Sequence, residues 1–251
     1  MKAVNKILAF ILCTVMILGT LVSCNGKGNK IDTNKYTANV EIKFATNDPA
    51  MKDSAYAIDS SSVIKVNGDN ISVSTQAKTG DTTVNEEYIL VDDVLYYGLS
   101  VSIGDFNSDK YRFTEFGDYE ENLIFLEAGN GAHINNEDFD TVNVSGDDKA
   151  KTYICSDISS EAKYYLEAVM NKKLDSFATA TLAEATLNLE TKDDAPIKSV
   201  LSCDYVITMG GAEYTVTMRL YTTYDYECET VVSAPADVNK YESATFDDIF
   251  N

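Results

Sequence analysis

From residue 36 to the C-terminus the chain is a succession of short β-rich runs, with no linker to divide them. The runs are 36–45, 55–66, 70–78, 84–91, 94–103, 110–115, 141–146, 150–157, 162–169, 173–181, 185–191, 198–209, 212–224 and 228–233. They are rich in Val, Ile, Thr and Tyr, residues that fit a pleated, half-buried surface. Turn-length signals separate them: Asn67-Gly68, Asp92-Asp93, Gly146-Asp147, Asn171-Lys172 and Gly210-Gly211. Each is short enough for a hairpin. Only Pro49, Pro196 and Pro235 interrupt the chain as prolines, so residues 36–251 read as a single antiparallel meander.

The periodicity within the runs says what the sheet must face. Over 199–209 one parity is Leu201, Cys203, Tyr205, Ile207 and Met209, while the other mixes Val200 and Val206 with Ser202, Asp204 and Thr208. That is a strand with one face on a core. The stretch 89–103 differs, carrying large apolar residues on both parities: Leu90, Val94 and Tyr96 on one, Ile89, Val91, Leu95, Tyr97 and Leu99 on the other. Those strands need cover on both sides. The clearest helical pattern is Asp118–Ala128, with Tyr119, Leu123 and Leu126 at helical spacing, three acidic residues in the first turn and Gly129 as a stop. Residues 135–139 add a further turn. The fold class expected is mainly β with a minor helical insertion (α+β).

The N-terminus reads as an address. Lys2 and Lys6 precede an apolar run from Ile7 to Val22, the layout of a secretory signal. Leu21-Val22-Ser23-Cys24 follows, and it resembles the bacterial lipobox. That resemblance implies cleavage before Cys24, diacylglyceryl modification of its thiol with palmitate-type chains, and a domain order of signal peptide 1–23, lipidated cysteine and tether 24–35, and body 36–251. Two or three acyl chains, at roughly 0.8 kcal/mol for each buried methylene, hold a protein firmly on a bilayer. The tether carries Lys27, Lys30 and Lys35 against Asp32, whereas residues 36–251 hold 15 basic and 39 acidic groups. A basic tether beside an acidic body suits an anchor lying against anionic lipid. At full stretch eleven residues reach about 36 Å, so the body works close to the membrane. The expected location is the outer face of the cytoplasmic membrane. Of the 20 basic residues only Arg112 and Arg219 are arginine, a bias that suits a low-GC Gram-positive genome.

Composition then excludes partners and chemistries. Formal net charge is −20 and reaches −22 once Lys2 and Lys6 leave with the leader, so phosphate backbones repel the protein and nucleic-acid binding is set aside. The single His133 sits in a turn-like stretch, no Gly-x-Ser-x-Gly elbow is present, and one histidine rules out His-Glu-x-x-His zinc chemistry. Asp105-Phe106-Asn107-Ser108-Asp109 begins like an EF-hand loop, but Lys110 stands where glycine makes the turn and Phe116 where the bidentate glutamate belongs. It reads as a polar turn. No catalytic residue, metal ligand or cofactor is assigned. Cys155, Cys203 and Cys228 cannot all pair; they read as buried free thiols, with a 203–228 bridge as the alternative.

Strand order and the C-terminal residues together resemble the LolA-like superfamily of lipoprotein carriers, including proteins of the LppX and LprG type. The resemblance is carried by the hairpin Val200–Met209, Gly210-Gly211, Ala212–Tyr221, then Thr222-Thr223-Tyr224-Asp225-Tyr226, then Val231 to Val238 with Pro235-Ala236-Asp237, and Tyr241. It implies a curved antiparallel sheet, an open half-barrel whose concave apolar face is plugged by a mid-chain helical segment. It also implies a lipid or lipoprotein ligand. The chain departs from that pattern in lacking an amphipathic helix before its first strand.

Strand parity then gives the wall of such a cavity: Val40, Ile42, Phe44, Leu95, Tyr97, Leu99, Leu201, Tyr205 and Ile207. Tyrosine hydroxyls among them suit a polar headgroup. The expectation is a lipid-anchored, extracytoplasmic, non-enzymatic protein binding an apolar or amphiphilic ligand, or an acyl-bearing partner, by desolvation. Two alternatives stand beside it. One is a solid-cored module that docks another envelope protein; the other is a wall-polymer enzyme using two carboxylates across an open cleft. Oligomeric state and ligand identity do not follow from the sequence.

Overall fold

The computed structural model describes residues 33–46, 60–79, 81–115, 134–174, 178–245 and 248–249. The leader, Cys24, nearly all of the tether, the helix expected over 118–128 and His133 lie outside the described residues. Twelve strands form one sheet: β1 (Lys35–Thr46), β2 (Ser60–Asn67), β3 (Asn70–Thr79), β4 (Thr82–Val91), β5 (Val94–Ile103), β6 (Phe106–Glu115), β7 (Phe139–Gly146), β8 (Ala150–Ile158), β9 (Thr179–Lys192), β10 (Ala195–Met209), β11 (Ala212–Asp225) and the two-residue β12 (Glu242–Ser243). Their spatial order is β12-β6-β5-β4-β3-β2-β1-β11-β10-β9-β8-β7. All pairs are antiparallel except β12 on β6. The meander is therefore broken twice: β6 and β7 lie far apart, with β1 joining the late strand β11 instead, and β12 crosses to β6.

The sheet is curved and its two ends do not meet. Its inward face forms a continuous core in which Val84 and Val101 of β4 and β5 belong to the same cluster as Leu187 and Leu189 of β9. Two-residue turns set the registers. At Asp92-Asp93 and again at Asp193-Asp194 both turn residues are left-handed, with φ between 49° and 64°. That is the twist hairpins favour, and Asp tolerates it better than most residues.

Three sequence expectations need correcting. Residues 162–169 are not a strand but part of helix α1 (Ser160–Leu174), and Asn171-Lys172 lies inside that helix, not in a hairpin turn. Ser159 caps it, accepting from the Ala162 N–H at 3.3 Å. Ala162, Leu166, Met170 and Leu174 are buried at intervals of four, so the helix presents one stripe to the concave face. Second, the strands expected at 173–181 and 185–191 join as one strand, β9, that starts only at Thr179; residues 173 and 174 end helix α1. Its pairing with β10 slips at Ala183, between Glu184↔Asp204 and Leu182↔Tyr205. The slip leaves Ala183 and Glu184 outside and returns Leu182 and Ala180 to the core. Third, residues 228–233 join no ladder; they run across the outer face of the sheet.

Candidate functional site

All nine wall residues chosen by parity fall on one face, the concave one. Register shows it: Ile42 opposes Leu220, which opposes Leu201, while Val40 opposes Thr222. Leu95, Tyr97 and Leu99 oppose Leu90, Tyr88 and Glu86 on the same side. Val40, Ile42, Leu95, Tyr97, Leu201, Tyr205 and Ile207 are no more than 5 % exposed; Phe44 and Leu99 are half-buried. They occupy two neighbourhoods. Helix α1 lies over β9 and β10, with Leu166, Met170 and Leu174 in the cluster that holds Leu182, Leu201 and Tyr205. Ile249, near the end of the chain, packs on Tyr88, Leu95 and Tyr97.

Polar contacts between α1 and β9 have a specific geometry. Beyond residue 186, towards its start, β9 has no strand on the β8 side, because β8 pairs only with 187–192. An open edge like this leaves backbone groups unbonded. The Asn171 side chain supplies the missing partner in both senses: its Oδ1 accepts from the Ala180 N–H at 2.7 Å and its Nδ2 donates to the Ala180 carbonyl at 2.8 Å. One turn earlier, Glu167 Oε1 accepts from the Leu182 N–H at 2.8 Å. The helix thus latches to the edge by side chains that mimic a strand.

Parity reasoning did not register that a polar band crosses the apolar wall. Following the register from β10 to β4, Ser199, Thr222, Val40, Ser62, Thr75 and Glu86 stand side by side. All six are buried. Ser62 and Thr75 share a hydrogen bond of 2.6 Å, and Tyr88 donates its hydroxyl to Glu86 Oε1 at 2.6 Å. Burial, followed by the Glu86 charge, pushes the Tyr97 hydroxyl well above its ordinary range. Two hydroxyls of this region, Thr222 Oγ1 and Ser60 Oγ, are buried with no hydrogen-bond partner. An unbonded buried hydroxyl costs roughly 1–3 kcal/mol, so such groups mark a place where something polar belongs.

On the outer face lies a second concavity. Thr37, Lys65, Ser72, Ile89, Tyr96 and Phe113 form one straight row across β1 to β6. The C-terminal segment crosses the sheet along this row. It starts at Thr37, where Thr230 Oγ1 lies 3.3 Å from Thr37 Oγ1, passes Val232 over Ile89 and Val91, and ends with Tyr241 against Tyr96. This strap is the second cover that the two-sided apolar pattern of 89–103 demands. Between strap and sheet is a cleft of about 410 Å³, with Lys65, Glu87 and Tyr111 on its floor and Asp237, Lys240 and Tyr241 on its rim.

Other candidates resolve simply. The Asp105–Asp109 stretch is the turn into β6 and the start of that strand, and among the described residues no three His, Cys, Asp or Glu converge as a metal site would need. Cys155 and Cys203 are buried free thiols, and the half-buried Cys228 is free as well. Burial raises the Cys203 thiol to about 12. Among the described residues no helix is long and apolar enough to cross a membrane.

No known protein family and no curated protein matches the sequence. Among solved structures, the YwiB protein from Bacillus subtilis aligns at 6 % identity over 76 % of this chain and 93 % of that one, with a TM-score of 0.23. An N-terminal dehydratase from the difficidin assembly line aligns at 11 % identity over 76 % and 79 %, TM-score 0.13. The dehydratase domain from the CurK module of the curacin polyketide synthase aligns at 6 % over 78 % of each chain, TM-score 0.12. TM-scores this low carry no argument about fold kinship or function.

Proposed function

We propose that the protein is a lipid-anchored, extracytoplasmic, non-catalytic binding protein of LolA-like type that takes an amphiphilic ligand, a lipid or the acyl group of a lipoprotein, against the concave face of its sheet. One observation carries the reading: a buried polar band crosses a wall that is otherwise apolar, with one unbonded hydroxyl in it, Thr222, and a second in the next row, Ser60. A purely structural core gains nothing from Thr222 and Ser60 there. An amphiphile offers chemistry to match, a polar group for the band and methylenes for the rows on either side.

In the described state α1 occupies the wall, so the ligand enters as the helix withdraws. Exposing Leu166, Met170 and Leu174 costs roughly 5–9 kcal/mol at 1.5–3 kcal/mol per side chain. A sixteen-carbon chain taken from water returns roughly 12 kcal/mol at about 0.8 per methylene. The exchange is favourable from water by roughly 3–7 kcal/mol; a chain already desolvated in a bilayer brings no such return against the cost of helix withdrawal. The test is a fluorescent fatty-acid analogue titrated into the full chain carrying Cys24→Ala, with mass spectrometry of an organic extract of the same protein. Saturable binding and co-extracted lipid support the reading; absence of both refutes it.

The low exposure of the wall favours a second reading. Seven of the nine residues are already packed to within 5 % exposure, which suits a permanently solid core whose edges dock another envelope protein. The same titration separates the two, since a solid core takes up no analogue.

A further inference from the structure

We propose that the cleft beneath the C-terminal strap binds a small zwitterion, a free amino acid or a dipeptide. The site is on the opposite face of the sheet from the polar band, so it stands or falls independently of the acyl-binding reading.

Its charges are the argument. The floor carries one cation, Lys65 of β2, and one anion, Glu87 of β4. They sit in adjacent rows, separated by β3; burial raises the Glu87 carboxyl and Lys65 draws it only partway back. The two feel each other yet form no ion pair within 4.0 Å: Lys65 and Glu87 face a shared space with their charges uncompensated by contact. On the rim Asp237 and Lys240 already form an ion pair at 2.5 Å. The lining is thus balanced overall, with one separated pair of opposite charges at its centre. A simple anion meets Glu87 and Asp237, and a simple cation meets Lys65 and Lys240. A molecule bearing both charges satisfies the floor: its carboxylate on the Lys65 ammonium, its ammonium on the Glu87 carboxylate. Hydroxyls from Ser72, Tyr111 and Tyr241 surround that position.

Size and surface narrow the class further. A volume of about 410 Å³ is at the lower end of small-molecule sites, enough for an amino acid or two. Sugars are disfavoured because the aromatic faces are taken. Tyr241 stands edge-on to Tyr96 with centroids 5.5 Å apart and lies 5.3 Å from Tyr111, so these rings pack on one another and leave no platform for a pyranose.

Isothermal titration of the full lipidated chain in detergent tests this, using the twenty free amino acids, L-alanyl-L-alanine, N-acetylalanine, alanine amide and glucose. At least one zwitterion should bind, and its forms capped at either end should bind at least tenfold more weakly. Lys65→Met should abolish the penalty for masking the carboxylate, and Glu87→Gln the penalty for masking the amine, each with an unchanged circular dichroism spectrum. The proposal is overturned if no zwitterion in the panel binds, if the capped forms bind as well as the free one, or if both variants retain full discrimination.

Discussion

Asn171 is the side chain on which the helical cover depends most directly. It bonds the Ala180 N–H and carbonyl on the open edge of β9, and also donates to the Glu167 carbonyl within the helix at 2.9 Å. Replacing it with alanine removes the two bonds across the edge. At about 1 kcal/mol net each, the loss is about 2 kcal/mol. Alanine's better helix propensity returns about 0.6 kcal/mol, leaving the latch weaker by about 1.4 kcal/mol. That is a tenfold shift towards the undocked helix. Amide hydrogen exchange is the assay, because it reads the edge residue by residue. In Asn171→Ala the Ala180 amide should exchange about ten times faster, while amides of β1 and β11 at the sheet centre stay as protected as before. The Leu182 amide, bonded to Glu167, should change less than that of Ala180. Asn171→Asp keeps the acceptor and loses the donor, and should fall between the two. If the ligand enters where the helix lies, the fatty-acid analogue should bind Asn171→Ala up to tenfold more tightly, since less of its binding energy goes into opening. Unchanged Ala180 exchange refutes the latch. Faster exchange with unchanged analogue affinity refutes the helix as the gate.

Alkaline pH should unfold the protein sharply. Burial raises Tyr36, Tyr88, Tyr97 and Tyr205 well above their usual range, Tyr241 to about 12 and Cys203 to about 12. A group whose folded pKa is raised lends stability that is lost as pH climbs past its unfolded value, at about 1.4 kcal/mol per pH unit for each group. The five buried ones, leaving out the more exposed Tyr241, exhaust a typical stability of about 10 kcal/mol within roughly two units above pH 10. Ionisation of these buried tyrosines should therefore appear together with loss of circular dichroism; absorbance reaching that of all 16 tyrosinates while the circular dichroism stays intact would contradict this. Gly146→Ala should cost about 3 kcal/mol in urea unfolding, because φ is 108° and the added Cβ would lie 2.1 Å from the Ala150 carbonyl oxygen. The matched Gly68→Ala, left-handed but in open space, should cost about 1 kcal/mol, and equal costs would show that the clash is relieved. Cys24→Ala should abolish incorporation of labelled palmitate and leave the precursor unprocessed; incorporation that persists would remove the lipobox reading.

Much of the sheet was legible because its signals are local. Hairpin turns such as Asp92-Asp93 and Gly210-Gly211 fix register within a few residues, and a period of two then assigns the face. That is why wall residues chosen from strands far apart in sequence, Ile42, Tyr97 and Leu201, share one side. Helix α1 was missed because Tyr164, Tyr165 and Val169 favour strands, and because Tyr164 and Leu166 alternate with polar residues. The contrary signal was present: a Ser159 cap and Ala162, Leu166, Met170 and Leu174 at intervals of four. A strand would place all four on one face only together with Tyr164, which shares their parity, and Tyr164 is 74 % exposed.

What local pattern cannot give is which segments meet across the sheet. The polar band is invisible strand by strand, since Thr222 and Thr75 each read as an ordinary strand residue; it emerges only when β11 docks on β1 and five registers line up. The strap is different, because the sequence announced its need without its identity. Ile89 and Val91 are apolar on the parity that faces away from the core, and a row of large side chains on an outer face must be covered by something. The chain covers it with its own C-terminal residues, Val232 and Tyr241. A segment recruited to shield apolar surface has to pass over the polar residues in the same rows as well. Where it bridges Lys65, Ser72 and Glu87 it spans groups it does not pack against, and the cleft is the space left under that bridge. Two-sided apolar patterning in an antiparallel strand is thus a sequence cue for a crossing segment, and a crossing segment over mixed rows is a cue for a pocket.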